Sequence, residues 1–544
     1  MTYSDVSRAI SAIHRFLIKF EWIPASLFFA ILLWHIWATR YVPSLDGPQH
    51  LYNAHVLTQL ILGNDLFREF FRLNPVIVGY WSGHLILGFY KLFLPAWMAQ
   101  KFLLMTYAAG MFFSFRYLVR SFPTGRDSLL VYLVFPFIFH FYMALGYYSF
   151  SLAVIFFFWA LGYWIRKQDD FGWKELGVLA ALAMGVFLSH ALVFVFFWVT
   201  LMLYFFSKLV MQLFTKRKKH FPPLITKAWK LALSVLPAFL LWVIYLQAVR
   251  RVKFAVTPSG DDFRTLAVDL MKLRQLVGFN HEVEAPPLRV LGLLLVVLSV
   301  TALLLYAIRH SPNYSGTRKR ELDQETHSWV VVVVFFLMAY FLMPDRISAG
   351  SLTDRYGLYF FFTLIILLAF QPVPRFIQLL SLLALIGITW GSRQTQHHFM
   401  ESLTNDIRDI RTMSPEMEER STVLNLNASD NWIHIHFGMH VATDKSLIHL
   451  NNPQCAGQFP IIWNDRRMPE LYVGDKPFHP GGSPEITGTG PREQVDYITV
   501  YHQEKFWADT ANHYWHQILD EYYQLVMTTP RELGALYRRT HSDN

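Results

Sequence analysis

The sequence predicts an α-helical polytopic membrane protein of about eleven transmembrane helices, followed by a C-terminal extracytoplasmic α/β domain. Three observations predict it. Of 544 residues, 53% are hydrophobic, and they come in repeated blocks of roughly 17–22, the length that crosses about 30 Å of hydrocarbon. Lys and Arg fall in clusters at every second gap between those blocks. Beyond residue 390 the polarity becomes that of an ordinary soluble chain.

The basic clusters are Arg8/Arg15/Lys19, Arg116/Arg120/Arg126, Arg166/Lys167/Lys174, the run TKRKKHFPPLITKAWK (215–230), and Arg309 with RKR (318–320). Cytoplasmic loops carry such an excess, so the N-terminus is expected inside. The net charge of +9 is therefore read as contact with anionic headgroups, not nucleic acid. The first apolar run lacks a small-residue cleavage site and is expected to be a retained helix rather than a signal peptide. Cys455 is the lone cysteine, so no internal disulfide forms.

In chain order the spans are expected near 22–39, 99–118, 128–146, 149–165, 174–190, 191–210, 231–247, 288–308, 328–343, 356–371 and 375–390. The segment 75–95 is read as an interfacial helix on the outer surface, because spanning would put Arg116, Arg120 and Arg126 outside. The expected division is a transmembrane domain over 1–390, with a long first outer loop at 40–98, and an outer domain over 391–544. That tail mixes helix-like stretches (401–413, 504–526) with strand-like STVLNLNA and DYITVYHQ. Its aromatics suit sugar stacking, though packed core is the commoner use.

Chemistry concentrates in LDGPQHLYNA (45–54). Gly47-Pro48 starts a helix, which puts Asp46 at the helix mouth, where the macrodipole favours a carboxylate. Asp46 is either a helix cap or a group that takes a proton or holds a cation. His50 and His55 follow on that helix. His84, in GYWSGHL, and His190, in FLSHALVF, are either hydrogen-bonded interfacial histidines or site residues. MPDRISAGSLTDRYG (343–357) carries Asp345/Arg346 and Asp354/Arg355. Each pair is a salt bridge tying a loop, or Arg346 or Arg355 grips a phosphate through its guanidinium fork; the two readings can coexist. There is no P-loop, GxSxG elbow or HExxH pattern, so a dedicated zinc site is not expected.

One helix followed by a long outer loop opening on an acid resembles the GT-C membrane glycosyltransferases that use polyprenyl-phosphate sugars. DGPQHLYNA, with WSGH, SH, DR and QFPIIWN (458–464), more closely resembles a group of bacterial membrane proteins sharing an Asp-Gly-Pro-x-His-Leu-Tyr-Asn pattern. The resemblance implies a bacterial inner membrane, a periplasmic C-terminal domain, and transfer of sugar from a polyprenyl-phosphate donor to a lipid, glycan or protein acceptor. It makes Asp46 the general base, with His50 and His84 orienting it or the acceptor or completing a weak metal site, Arg346 or Arg355 holding the donor phosphate, and Asp354 and His190 in support. Many of these enzymes pair the first acid with a second; Asp65 is the only nearby candidate, and a divalent cation, Mg or Mn, would be the metal. The rival readings are a non-catalytic assembly or secretion component with a partner-binding outer domain, and a transporter.

Overall fold

The computed structural model of the chain describes residues 3–214, 221–249, 256–257, 261–310, 319–347, 350–480 and 488–540. The helices are α1 (Tyr3–Lys19), α2 (Trp22–Trp37), α3 (Gly47–Leu62), α4 (Asp65–Phe70), α5 (Trp81–Lys91), α6 (Ala96–Val119), α7 (Phe141–Ala144), α8 (Tyr148–Lys167), α9 (Trp173–Ser189), α10 (Ala191–Phe214), α11 (Phe221–Val249), α12 (Phe263–Met271), α13 (His281–Arg309), α14 (Lys319–Leu342), α15 (Thr353–Ala369) and α16 (Arg375–Arg411). Two more, α17 (Gln503–Ala508) and α18 (His513–Tyr522), lie in the tail. Among the described residues seven helices are long and apolar enough to cross a membrane, or eight if α1 and α2, bent by 66°, count as one span. The protein is thus a helical integral membrane protein.

Compact packing divides the chain into two units. The first holds Met1–His35, Met105–Met143 and Phe150–His397; the second holds Ile36–Leu104, Ala144–Ser149 and His398–Asn544. The division does not follow the linear cut at residue 390, because the first outer loop groups with the tail.

In the first unit the break between α1 and α2 falls beside Glu21, which pairs with both Arg116 and Arg120. The span expected at 128–146 is not a helix of that length. Residues Leu129–Phe137 form a wholly buried 3₁₀ segment, followed by the single turn of α7. Pro136 inside it removes a backbone donor, and Gly146 at φ 84° turns the chain shortly after; both work against a continuous α-helix. Phe28 and Phe112 stack on Tyr132 and pack against Phe135, which explains why so apolar a stretch lies inside protein and not in lipid. The segment 75–95 contains α5, eleven residues long, too short to span. The helix expected at 401–413 is not separate: α16 runs unbroken to Arg411.

The second unit is mixed α/β. Its main sheet has five strands, β5 (Thr422–Asn427), β6 (Ile448–His449), β11 (Tyr497–Tyr501), β12 (Tyr523–Thr528) and β13 (Gly534–Arg539), ordered β12-β13-β11-β5-β6. β5 runs parallel to both β11 and β6. Every residue of β11 is buried, so it reads as the continuous apolar run of a central strand. The first loop and the tail share a second small sheet: β1 (Phe71–Leu73) pairs antiparallel with β7 (Ile461–Trp463), Phe71 opposite Trp463 with rings stacked at 4.6 Å.

Candidate functional site

The site grows from α3, whose first twelve residues, Gly47 to Thr58, are all buried although five of them are Gln, His, Asn or Thr. Burying amides is tolerable only when they are hydrogen-bonded, and one face of α3 is. Gln49 Nε2 donates to Asn452 Oδ1 (3.1 Å), Asn452 Nδ2 to Asn53 Oδ1 (2.7 Å), and Asn53 Nδ2 to Gln454 Oε1 (2.8 Å). Tyr52 Oη donates to the Leu447 carbonyl (3.0 Å) and accepts from the His449 N–H (2.9 Å).

Asp46 occupies the N-cap position, yet its side chain makes no capping hydrogen bond. Its backbone is held instead: Asp46 N–H donates to the Leu145 carbonyl at 2.9 Å. Two glycines permit that approach. A Cβ on Gly47 would lie 2.0 Å from Ser44 Oγ and 2.7 Å from Tyr148 Oη, and one on Gly146 would lie 2.5 Å from the Gly47 nitrogen. Tyr148 Oη accepts from Gln100 Nε2 at 2.7 Å and lies 3.4 Å from Ser44 Oγ.

Burial pushes the Asp46 carboxyl up to about 7. His436 Nε2 lies 3.6 Å from Asp46 Oδ1. That separation would admit an ion pair, but burial pushes His436 down to about 4, so the imidazole is neutral at neutral pH while Asp46 is about half ionised, and the gap also exceeds a hydrogen bond.

His50 and His84 meet each other. His84 Nδ1 lies 2.8 Å from the Tyr80 carbonyl, and His84 Nε2 lies 3.5 Å from His50 Nδ1. A carbonyl only accepts, so Nδ1 of His84 carries the proton. With burial holding His84 at about 4, its Nε2 is a lone pair that takes the Nδ1–H of His50. The tautomers are thereby fixed, and Nε2 of His50 is left as the unprotonated nitrogen. Tyr80 adopts φ 70°, a left-handed conformation rare outside glycine. Its carbonyl also accepts from Ser149 Oγ at 3.1 Å. The Phe459 ring, 4.7 Å from Tyr80, 6.2 Å from His50 and 6.1 Å from His84, covers the imidazoles.

Asp65 does not join them. It is an exposed residue at the start of α4, beyond the far end of the sixteen-residue α3, and so about 24 Å from Asp46 at 1.5 Å per residue. Arg355, His190 and Asp354 belong to the first unit. There the Arg355 guanidinium lies 5.3 Å from the Tyr142 ring and 5.6 Å from Phe150, against which His190 packs edge-on at 5.2 Å. Asp354 Oδ1 accepts from Gln275 Nε2 at 3.4 Å. Arg346 starts the two-residue strand β3 (Arg346–Ile347); its side chain lies outside the described residues.

Among the described residues no three His, Cys, Asp or Glu side chains are grouped to hold a metal ion. The imidazole nearest Asp46 is that of His436, at 3.6 Å, whereas Mg and Mn favour several oxygens. Sequence reasoning missed His436, Tyr148 and Gln100. The histidine-dense WIHIHFGMH (432–440) and Tyr148 at a helix start were the available signals.

No family model matches the chain, and no curated protein matches it. It is similar to the crystal structure of ArnT from Cupriavidus metallidurans bound to undecaprenyl phosphate, with 9% sequence identity and a TM-score of 0.41 over 97% of this chain and 98% of that one. A likeness that shallow carries no argument about activity.

Proposed function

We propose that the protein is a membrane glycosyltransferase that moves a sugar from a polyprenyl-phosphate donor to an acceptor hydroxyl at the outer face of the membrane, with Asp46 as general base. One observation carries the reading: the Asp46 carboxyl does not cap its helix and is pushed by burial to about 7. A carboxylate of ordinary pKa is a poor base at neutral pH, and a cap has no reason to be desolvated. A carboxylate near 7 is about half ionised there and holds a proton some three orders of magnitude more tightly, which is the tuning general-base catalysis needs.

In this mechanism Asp46 takes the proton from the acceptor hydroxyl as its oxygen attacks the anomeric carbon. The new C–O bond forms on the face opposite the breaking bond to phosphate, so the configuration inverts, and the polyprenyl phosphate leaves with the electron pair. His50, with Nε2 bare, orients the acceptor hydroxyl. Arg355 has the donor-phosphate role that the sequence resemblance implies.

The test uses the purified full chain in lipid nanodiscs, a panel of polyprenyl-phosphate sugars, and the variants Asp46→Asn and Arg355→Ala. Consumption of one donor by the wild type, lost in Asp46→Asn and with weakened donor binding in Arg355→Ala, supports the assignment. Transfer that survives Asp46→Asn removes it.

A further inference from the structure

The main sheet of the second unit reverses its winding at β5. The chain leaves β5 for β6 on one side, and the later parallel strand β11 lies on the other. In α/β sheets the crevice outside the carboxyl ends of strands at such a switch point is where ligands bind. β5 ends at Asn427 and β11 at Tyr501, and those two residues are register partners. Ser429 and His502 lie just past the two ends.

Ser429 meets a histidine there. Its Oγ lies 2.8 Å from His434 Nδ1 and accepts the Asn431 N–H at 3.1 Å. On the other side of the ring, His434 Nε2 faces Asp406 Oδ2 at 3.3 Å. A carboxylate only accepts, so in the neutral ring Nε2 carries the proton, Nδ1 is a lone pair, and the Ser429 hydroxyl is the donor. The Asp406 contact is electrostatic and not aligned as a hydrogen bond; catalytic contacts are often long or poorly aligned before substrate binds.

The constellation is held from several directions. Asn427 accepts the Ser429 N–H at 3.0 Å and donates to the His434 carbonyl at 2.9 Å. Arg531 Nη1 binds the other oxygen of Asp406 at 2.6 Å. The rings of Phe437, Tyr501 and His502 pack on the imidazole at 4.7, 5.3 and 5.7 Å. His502 does so at φ 59°, a conformation that non-glycine residues adopt at a cost and that gathers at functional sites. His434 is buried, whereas Ser429 is only half-buried. The turn needs Ser429 Oγ solely as an acceptor for Asn431; its proton is directed at an imidazole backed by an acid.

We infer that Ser429, His434 and Asp406 form a nucleophile–base–acid relay that cleaves carboxylic esters, an activity separate from sugar transfer. The ring is used in the reverse sense to the familiar serine-hydrolase triad, which is recognised by roles and geometry. Ser429 Oγ attacks the ester carbonyl carbon while its proton passes to His434 Nδ1, and the imidazolium faces Asp406. The C–O bond to the alcohol then breaks, and the alcohol leaves with the proton from Nδ1. Water, giving its proton to the same nitrogen, releases the carboxylic acid from Ser429. Trp432 and Ile435, 41% and 53% exposed on the 3₁₀ segment that carries His434, suit an apolar acyl group. The inference does not rest on the transferase reading.

The purified full chain in nanodiscs is treated with a fluorophosphonate probe, whose fluoride leaves as the serine oxygen bonds to phosphorus, and the labelled peptide is mapped by mass spectrometry. Turnover of p-nitrophenyl acetate and octanoate is measured alongside. Wild type is expected to carry the label on Ser429 and to prefer the octanoate. Ser429→Ala should abolish ester turnover, and His434→Gln should slow labelling of Ser429 by about 10²–10⁴. Unfolding midpoints keep a folding defect apart from a chemical one, and Ser429→Ala, the loss of one oxygen, carries the test if the histidine variant does not fold. Preference for the acetate removes the apolar acyl group from the assignment. No label on Ser429 in folded wild type, ester turnover unchanged in Ser429→Ala, or equal labelling rates in wild type and folded His434→Gln overturns the inference.

Discussion

Replacing Asp46 with Asn should make the protein more stable at pH 8 and leave it without activity. In the unfolded chain the carboxyl titrates near its ordinary value of 3.8; in the folded chain burial pushes it to about 7. Below pH 4 both states hold the proton and the residue contributes nothing. Between 4 and 7 the unfolded chain releases its proton while the folded chain keeps it, so stability falls as pH rises, and above 7 the loss is constant. A shift of about three units at 1.36 kcal/mol per unit gives about 4 kcal/mol. The side chain is only 21% exposed, so solvent screening removes little of it. Asparagine keeps the shape without the charge, and its buried amide returns about 1 kcal/mol of penalty. The net gain at pH 8 is about 3 kcal/mol, which for a chain of this length is an upward shift of about 3 °C. Tryptophan fluorescence of wild type and Asp46→Asn, heated in nanodiscs at pH 4 and pH 8, measures it. The shift should be present at pH 8 and absent at pH 4, while sugar transfer falls by about 10²–10⁴. A variant less stable than wild type at pH 8 would refute the reasoning, because Asp46 would then be an ionised structural partner. So would a shift of equal size at both pH values.

Three further outcomes follow from the same unit. The rate kcat/KM should rise through about pH 7 as Asp46 ionises and level off above it; a profile flat from pH 5.5 to 8 rules out that base. Asp444 accepts Lys91 Nζ (2.9 Å), the Ala96 N–H (2.7 Å) and Arg411 Nη2 (3.2 Å); burial alone would raise its carboxyl, but these partners outweigh it and hold it below the usual range. Asp444→Ala should therefore cost about 3–5 kcal/mol at neutral pH by stranding the buried Lys91, less in acid where wild type loses the same pairing, and adding Lys91→Met should recover most of it in a denaturation series. Gly47→Ala should destabilise by about 1–3 kcal/mol through overpacking, because the new Cβ falls 2.0 Å from Ser44 Oγ and 2.7 Å from Tyr148 Oη, and Ser44→Gly in the same chain should relieve the Ser44 part of it; an unchanged unfolding midpoint for Gly47→Ala contradicts the close approach.

Helices α6, α8, α10, α13 and α14 were legible in the sequence because a long apolar helix is written in plain hydropathy, whether it faces lipid or, as α8 does, is mostly buried in protein, and α9 and α15 fall on their expected spans. The segment 128–146 misled for the same reason. Composition registers how apolar Leu129–Phe137 is, but not whether its neighbours are lipid or Phe28 and Phe112. At the site, Asp46, His50 and His84 were legible because they lie on one loop around a helix start. His436 comes from a 3₁₀ segment nearly four hundred residues on, and Tyr148 from a six-residue excursion of the chain into the second unit. No local pattern carries such a meeting.

DGPQHLYNA makes two sets of demands on one short helix, and different residues meet them. Gln49, Tyr52 and Asn53 are bound into the amide ladder with Leu447, His449, Asn452 and Gln454. That ladder is what allows so polar a helix to be buried at all. Asp46 and His50, one turn apart, take no part in it. Their groups are instead left desolvated, with Asp46 near 7 and His50 pushed well below its ordinary value by burial and by His84. A scaffold has no use for that arrangement, since an apolar pair would pack as well without the penalty. Substitutions on the ladder face should therefore lower stability and activity together, whereas those at Asp46 should lower activity and raise stability. That opposition of sign is the signature of a group retained for chemistry against the interest of the fold.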